Sequence, residues 1–274
     1  MNTLEKLTQH YPEVPHAIQR VALMYTHILQ KYHHEHTLQY YLQHDPRVIY
    51  TSIPTHIHQQ NPSYLTCLDP HYPDKLLHLY NYPCTLFYQG NIDLLKLPSI
   101  GIIGSRENDA YGERVIFELI KRLPEDIVVI SGLAKGCDGL AHKYALEENK
   151  PTIAIIGSGM AYTYPLCNKD LYQKIQERGL LLSEYEYHEP IRKHQFIQRN
   201  RLIAALSDHL VVIESTLHSG TLITVNEMLG LGKEVYVVPH PLFSRLGEGN
   251  LRLLNEGANI LFSIEEFVNS IKRV

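Results

Sequence analysis

From residue 99 onward, short apolar runs alternate with segments of helical spacing, and this alternation limits the possible folds more than any other feature of the chain. The runs predict strands at 99–104, 126–131, 152–157, 180–184, 209–214, 234–239 and 258–262. Helices are predicted at 110–123, 136–148, 168–178, 192–206, 219–232, 250–257 and 263–272. Strands that are apolar throughout are buried on both faces, and the helices between them connect parallel neighbours. The pattern therefore predicts an α/β fold with a doubly wound, mainly parallel sheet.

The chain before residue 99 has a different texture and divides into two parts. Residues 1–60 lack long β-branched runs and place apolar side chains at three- and four-residue steps, which predicts a small helical, SAM-like module. Residues 61–98 are interrupted by prolines and contain short apolar pieces such as TLFYQG, typical of a connecting segment that carries a short strand and packs on the main domain. The expected domains are 1–60, 61–98 and 99–274.

Composition excludes several classes of protein. No apolar run approaches the length of a membrane span, and the N-terminus lacks the pattern of a signal peptide, so we expect a cytoplasmic protein without a membrane partner. The four cysteines are scattered without a CxxC pair, and the histidines around His33, His34 and His36 lack an obvious ligand arrangement, so no metal is expected. The net charge of −4 means that any site for a phosphate backbone must be a local patch.

Glycine-containing turns follow the first three predicted strands of the main domain. In an open parallel sheet, ligands bind outside the carboxyl ends of the strands, and glycine allows backbone to approach a phosphate closely. These turns on adjacent strands predict one broad, shallow groove. A fourth turn, at the start of a later helix, fits phosphate binding and helix capping equally well. The candidate residues in the four turns are Gly104, Ser105, Arg106, Lys135, Gly136, Gly157, Ser158, Gly159, Lys169, Ser219, Gly220 and Thr221.

The first turn does not fit a nicotinamide site. Such a site requires GxGxxG here and an acidic residue after the second strand, whereas the chain has GSRENDAYG and then Ser131-Gly132. No cofactor is expected.

Residues 188–201, HEPIRKHQFIQRNR, form a local basic segment with four cations and the single acid Glu189. On a helix, Lys193, Phe196, Arg199 and Asn200 share a face, so the ring could stack a base while its neighbours hold phosphates. The alternative is that Phe196 is a core residue and that the arginines, including Arg201, form a solvated or ion-paired face. The first interpretation indicates binding of a single strand.

Ordered motifs from about Leu68 onward resemble the DNA-processing protein A (DprA/Smf) family: LDPHYPDKLLHLYNYPCTLFYQGN, GSR, SGLAKGCDGLAH, TIAIIGSGMAYTYP, LLSEY, FIQRNRLIAALSD, VVIES, SGTLIT and GEGNLRLLNEGA. The resemblance implies a non-catalytic protein with a Rossmann-like domain at 99–274 that binds single-stranded DNA without sequence preference. It further implies a homodimer that protects incoming DNA and helps to load the RecA recombinase during natural transformation.

The resemblance also implies roles for individual residues. Arg106 is the arginine of the GSR motif, Lys193 and Phe196 are the lysine and aromatic before the RNR motif, and Arg199, Asn200 and Arg201 form that motif, in which some members can be structural. Two positions depart from the family. His240 stands where glycine is common, and Asp109 stands where a hydroxyl residue is frequent, so the geometry of these two loops is uncertain from the sequence.

The main alternative is an enzyme, because Rossmann-like proteins with similar turns include nucleotide N-glycosidases that act on nucleoside monophosphates. That chemistry needs a carboxylate over the ribose, and the candidates are Glu184, Glu214 and Glu227, each of which could instead cap an element or pair with an arginine. A third reading, a protein-protein scaffold, leaves the cation cluster without a purpose.

Overall fold

The structure, a computed structural model, describes residues 63–67, 69, 71–83, 85–217 and 219–271, so the helical module predicted for 1–60 lies outside the described residues. Its strands are β1 (Ser63–Thr66), β2 (Thr85–Gly90), β3 (Ser99–Ile103), β4 (Val128–Ser131), β5 (Thr152–Ile155), β6 (Leu180–Ser183), β7 (His209–Val212), β8 (Glu234–Val237) and β9 (Asn259–Ile260). Its α-helices are α1 (Asp74–Leu77), α2 (Ala110–Arg122), α3 (Cys137–Glu147), α4 (Lys169–Arg178), α5 (Lys193–Leu206), α6 (Thr221–Gly230), α7 (Glu248–Asn255) and α8 (Ile264–Ile271). Short 3-10 turns occupy Ile92–Lys96, Leu166–Asn168 and Arg245–Gly247.

All strands lie in one sheet with the order β1-β2-β6-β5-β4-β3-β7-β8-β9. The strands from β3 to β9 pair in parallel, and the chain reverses direction across the sheet between β3 and β7. The predicted doubly wound, mainly parallel, Rossmann-like sheet is confirmed. The turns after β3, β4 and β5 are neighbours at one edge because these strands pair directly.

Helices cover both faces of the sheet because every residue of the central strands is apolar or small. On one face, the strands pack against α5, α6 and α7 through residues such as Ile203, Val225 and Leu253. On the other face they pack against α2, α3 and α8, through Ile116, Ala141 and Phe267. Burial on both sides explains why these strands are continuous apolar runs without polar alternation.

The segment before residue 99 extends the same sheet. The sequence predicted one short strand there, whereas the structure has two, β1 and β2, which pair antiparallel with each other, and β2 pairs antiparallel with β6. The Tyr72 hydroxyl donates to the Pro83 carbonyl at 2.5 Å, and Lys75 pairs with Asp208 at 2.6 Å. The Tyr72 bond lies within the segment, whereas the Lys75–Asp208 pair and the pairing of β2 with β6 fasten the segment to the main sheet. The division of the chain into three domains remains a prediction.

The two departures from the family pattern have local explanations. Asp109 caps α2, because its Oδ1 accepts the N–H groups of Tyr111 and Gly112 at 2.8 and 3.0 Å. His240 is buried, lies 2.9 Å from the Ile213 carbonyl through Nε2, and packs over Gly247, where a Cβ would come within 2.1 Å of the His240 Cβ. Both loops are therefore ordered by the residues that this chain has there. No helix in the described part of the chain is long and apolar enough to cross a membrane.

Candidate nucleic-acid interface

A cleft of about 140 Å³ lies at the carboxyl edge of β3, β4 and β5. Its lining residues are Arg106, Gly132, Ala134, Lys135, Ile156, Gly157, Ser158, Tyr164, Pro165, Tyr172 and Phe196. Five of the residues predicted from the sequence meet there, and they come from all three glycine turns and from α5. The cleft is the groove expected from adjacent strand ends.

The first two turns are locked together by Gly136. This residue has φ +81°, and a Cβ on it would lie 2.4 Å from the Ser105 carbonyl oxygen and 2.7 Å from that of Arg106. The N–H of Cys137 donates to the Ser105 carbonyl at 3.1 Å. Only glycine combines this backbone angle with so close an approach. Gly136 therefore holds the backbone of Arg106 against the turn that carries Lys135.

The third turn brings backbone against α5. Gly157 lines the cleft beside Phe196, and a Cβ on it would lie 3.1 Å from the Phe196 Cδ1. Ser158 lines the cleft next to it, although its side chain is buried. Gly159 instead faces the loop before α5, where its N–H donates to the Glu189 carbonyl at 2.9 Å. Gly159 thus shapes the turn but does not line the cleft.

Four exposed cations surround the cleft: Arg106 and Lys135 line it, whereas Lys193 and Lys169 lie at the first residues of α5 and α4. Among the described residues, no carboxylate forms an ion pair with any of them. Glu107, which follows Arg106 in the sequence, pairs with Arg245 at 2.7 Å instead. The chain is acidic overall, but this edge presents four exposed cations that form no direct ion pair among the described residues.

Two aromatic rings lie together at the cleft. The ring centroids of Tyr164 and Phe196 are 5.4 Å apart with an interplanar angle of 48°. Phe196 was predicted from its place between cations in the basic segment. Tyr164 was not among the predicted site residues, although its position shortly after the third glycine turn could have indicated a ring near the groove.

The structure differs from the prediction at Arg199 and Arg201, whose side chains are buried. Arg199 donates to the carbonyls of Gly132, at 2.5 Å, and Ile155, and so braces the ends of β4 and β5. Arg201 forms a bidentate ion pair with Glu184 and donates to carbonyl and amide oxygens of Asn81 and to the Gln198 carbonyl. Both guanidinium groups support the site from inside the protein.

Asn200 and the Ser219-Gly220-Thr221 turn also contact protein groups. Asn200 Nδ2 donates to the Gly220 carbonyl at 3.4 Å, and the Thr221 N–H donates to the Ser219 Oγ at 3.1 Å. The Thr221 hydroxyl donates to the Gly104 carbonyl at 3.3 Å. The Thr221–Gly104 bond joins the start of α6 to the first glycine turn, and the Ser219 hydroxyl accepts the first N–H of α6, which favours capping for this turn.

Ser105 has a local role in the first glycine turn, where its Oγ accepts the N–H of Glu107 at 3.1 Å.

The carboxylates considered for an enzyme lie away from the cleft lining. Glu184 is engaged by Arg201, and Glu227 lies on α6. Glu214 is fully buried under the first turn, where Oε1 accepts the Asp109 N–H at 3.4 Å. Burial and the neighbouring Asp109 side chain raise the pKa of Glu214 to about 7. None of the three lines the cleft.

Comparison with known proteins gives consistent relatives. The family model for DNA recombination-mediator protein A matches residues 63–272. The DNA processing protein DprA of Streptococcus pneumoniae is 40% identical over 205 residues, which cover 75% of this chain and 72% of that protein. Its counterpart in Bacillus subtilis is 35% identical over 73% of this chain and 68% of its own length.

Solved structures of relatives have the same fold. The crystal structure of DNA processing protein A from Streptococcus pneumoniae has a TM-score of 0.75 at 35% identity, covering 85% of this chain and 80% of that one. The protein from Helicobacter pylori, described with a unique single-stranded DNA binding mode, has a TM-score of 0.71 at 30% identity and covers 78% and 97%. The chain therefore belongs to the DNA recombination-mediator protein A family of DNA-processing proteins.

Proposed function

We propose that this protein binds single-stranded DNA without sequence preference along the cleft and the four exposed cations around it. The observation that carries the proposal is the set of cations without carboxylate partners beside an aromatic ring, in a chain with net charge −4. Arg106, Lys135 and Lys193 hold phosphates, and Phe196 stacks a base. Every base has a π face, so such a site accepts any sequence. The related Helicobacter pylori protein binds single-stranded DNA, which supports the same ligand here.

Fluorescence anisotropy with labelled oligo-dT at several salt concentrations tests this proposal. Arg106→Ala and Lys193→Ala should each weaken binding and reduce the slope of log K against log salt by about 0.7, the value for one phosphate contact on a single strand. Lys121→Ala is the matched control, because Lys121 is exposed in the last turn of α2, at the opposite edge of the sheet. Unchanged affinity in both cleft variants would reject the proposal.

Binding rather than catalysis is the activity that the cleft supports. Its lining within the described residues contains no carboxylate, and Glu184 and Glu214 are committed to protein partners. Incubation with AMP or CMP should accordingly release no free base. Release of base that disappears in Glu214→Gln or Glu227→Gln would instead support an N-glycosidase.

Two further parts of the proposal follow from the family. We propose that the protein forms a homodimer, and that it protects incoming single strands and helps RecA to assemble on them during natural transformation. Sedimentation at several concentrations measures the first, and nuclease protection and RecA assembly on oligo-dT measure the second. Arg106→Ala should lose protection and RecA assembly together but keep the dimer, since Arg106 lies in the cleft.

A further inference from the structure

We infer that Tyr164 stacks a second base next to the base on Phe196, so that the cleft binds two successive nucleotides on a paired aromatic surface. This inference rests on the proposed single-strand binding. The basic segment of the sequence indicates neither Tyr164 as a binding residue nor the arrangement of two bases side by side.

The geometry of the two rings supports adjacent bases rather than one base between them. Tyr164 and Phe196 have centroids 5.4 Å apart and are tilted by 48°. Aromatic rings in direct contact have centroids about 4.5–7 Å apart, so two rings at 5.4 Å leave no room for a base between them, and a base stacked on both would also need parallel planes. The rings already contact each other, so bases have access only to their outer faces. Both rings line the cleft, and Tyr164 is 45% exposed.

The backbone of Tyr164 is held in place by the side chain of buried Tyr172. The Tyr172 hydroxyl donates to the Tyr164 carbonyl at 2.8 Å, and the Tyr164 N–H reaches the same hydroxyl oxygen at 3.4 Å. Tyr172 is 5% exposed and sits in the core on α4. Asn168 Nδ2 donates to the carbonyls of Leu133 and Ala134 at 3.0 Å each, which ties the same loop to the β4 turn. With its backbone fixed and its ring against Phe196, Tyr164 loses little entropy when a base stacks on it.

The cations are placed to hold the sugar-phosphate backbone of the same two nucleotides. Arg106 and Lys135 line the cleft together with both rings, so phosphates and bases of one short segment can be bound at once. Tyr162 lies in the same loop and is 36% exposed, but it is not part of the lining. It is therefore a matched control for an exposed tyrosine that has no base to stack.

A cycle of variants and oligonucleotides tests the inference. Tyr164→Ala should lower affinity for oligo-dT about ten-fold, within the usual range for one base on an aromatic ring. It should leave affinity unchanged for an abasic deoxyribose-phosphate oligomer of the same length, and Tyr162→Ala should affect neither ligand. Equal loss on both oligomers, or loss on neither, would overturn the role of Tyr164.

A fluorescent reporter gives a second readout that a folding defect does not imitate. The chain has no tryptophan, so Tyr164→Trp introduces the only one. Its emission should be quenched by oligo-dT and not by the abasic oligomer, while Tyr162→Trp should respond to neither. Arg106→Ala weakens binding of both oligomers if the proposed function holds. If that result is obtained but Tyr164→Trp stays unquenched, the function stands and this inference fails.

Discussion

Arg201 and Glu184 form a bidentate ion pair inside the protein, with N–O distances of 2.8 and 2.6 Å. Their side chains are 10% and 7% exposed. The pair joins α5 to the end of β6, and the contacts of Arg201 with Asn81 extend it to the segment before the main domain. All five guanidinium N–H groups of Arg201 have acceptors. Arg201 of the RNR motif therefore stabilises the fold by joining α5, the end of β6 and the segment before residue 99.

Breaking this pair should be costly. Arg201→Ala leaves the Glu184 carboxylate buried without its partner, and we expect the free energy of unfolding in urea to fall by about 3–5 kcal/mol. Arg252→Ala is the control, since Arg252 pairs with Glu256 at 2.8 Å on the surface and should cost less than about 1 kcal/mol. The double variant Arg201→Met, Glu184→Leu should recover much of the loss. A small loss in Arg201→Ala would contradict the structural role.

The sequence predicted the sheet well because β3, β4, β5 and β6 are buried on both faces, so apolar runs mark these strands directly. It predicted less about α5. Lys193, Phe196, Arg199 and Asn200 do share a helical face. That face runs from the exposed Lys193 through the half-buried Phe196 to the buried Arg199, almost two turns later. Helical spacing specifies direction around the axis and not depth along it. The burial of Arg199 therefore depends on how α5 packs over β4 and β5.

Gly136 should be needed for the shape of the cleft. In Gly136→Ala the new Cβ would lie 2.4 Å from the Ser105 carbonyl oxygen, and the alanine would have to adopt φ +81°. We expect a loss of stability of about 1–3 kcal/mol and weaker oligo-dT binding, because the backbone of Arg106 must move. Gly232→Ala separates the two causes, since Gly232 has φ +69° with nothing within 4 Å. It should lose some stability and no affinity. Equal effects of both variants on affinity would refute this explanation.

Glu214 should make stability decrease with pH in the near-neutral range. Its pKa is raised from 4.5 to about 7, so the folded protein retains a proton that the unfolded chain releases between these values. The stabilisation contributed by Glu214 is fully present below about pH 4.5 and is lost as pH rises through 7, by up to about 3 kcal/mol. Glu214→Gln should flatten that part of the profile in urea titrations between pH 5 and 8. Buried Asp138, whose pKa is also raised, adds a slope of the same sign, whereas buried His142, whose pKa is lowered to about 3, adds a slope of the opposite sign below pH 6.5. The contribution of Glu214 is therefore measured as the difference between the parent and Glu214→Gln profiles. An unchanged profile would show that Glu214 titrates normally.

The structural role of Arg199 and the DNA-binding role of Arg106 can be distinguished by measuring both the free energy of unfolding and the salt dependence of oligo-dT binding. Arg199 donates to the carbonyls of Gly132 and Ile155, and a lysine lacks the planar fork that reaches both. Arg199→Lys should therefore lower the free energy of unfolding by about 1–3 kcal/mol, since buried carbonyl groups lose donors. The salt slope of oligo-dT binding should not change, because the side chain of Arg199 has no access to a phosphate. Arg106→Ala should do the reverse, with stability within about 0.5 kcal/mol of the parent and a smaller slope. A reduced slope in Arg199→Lys would mean that this arginine contacts the strand after all.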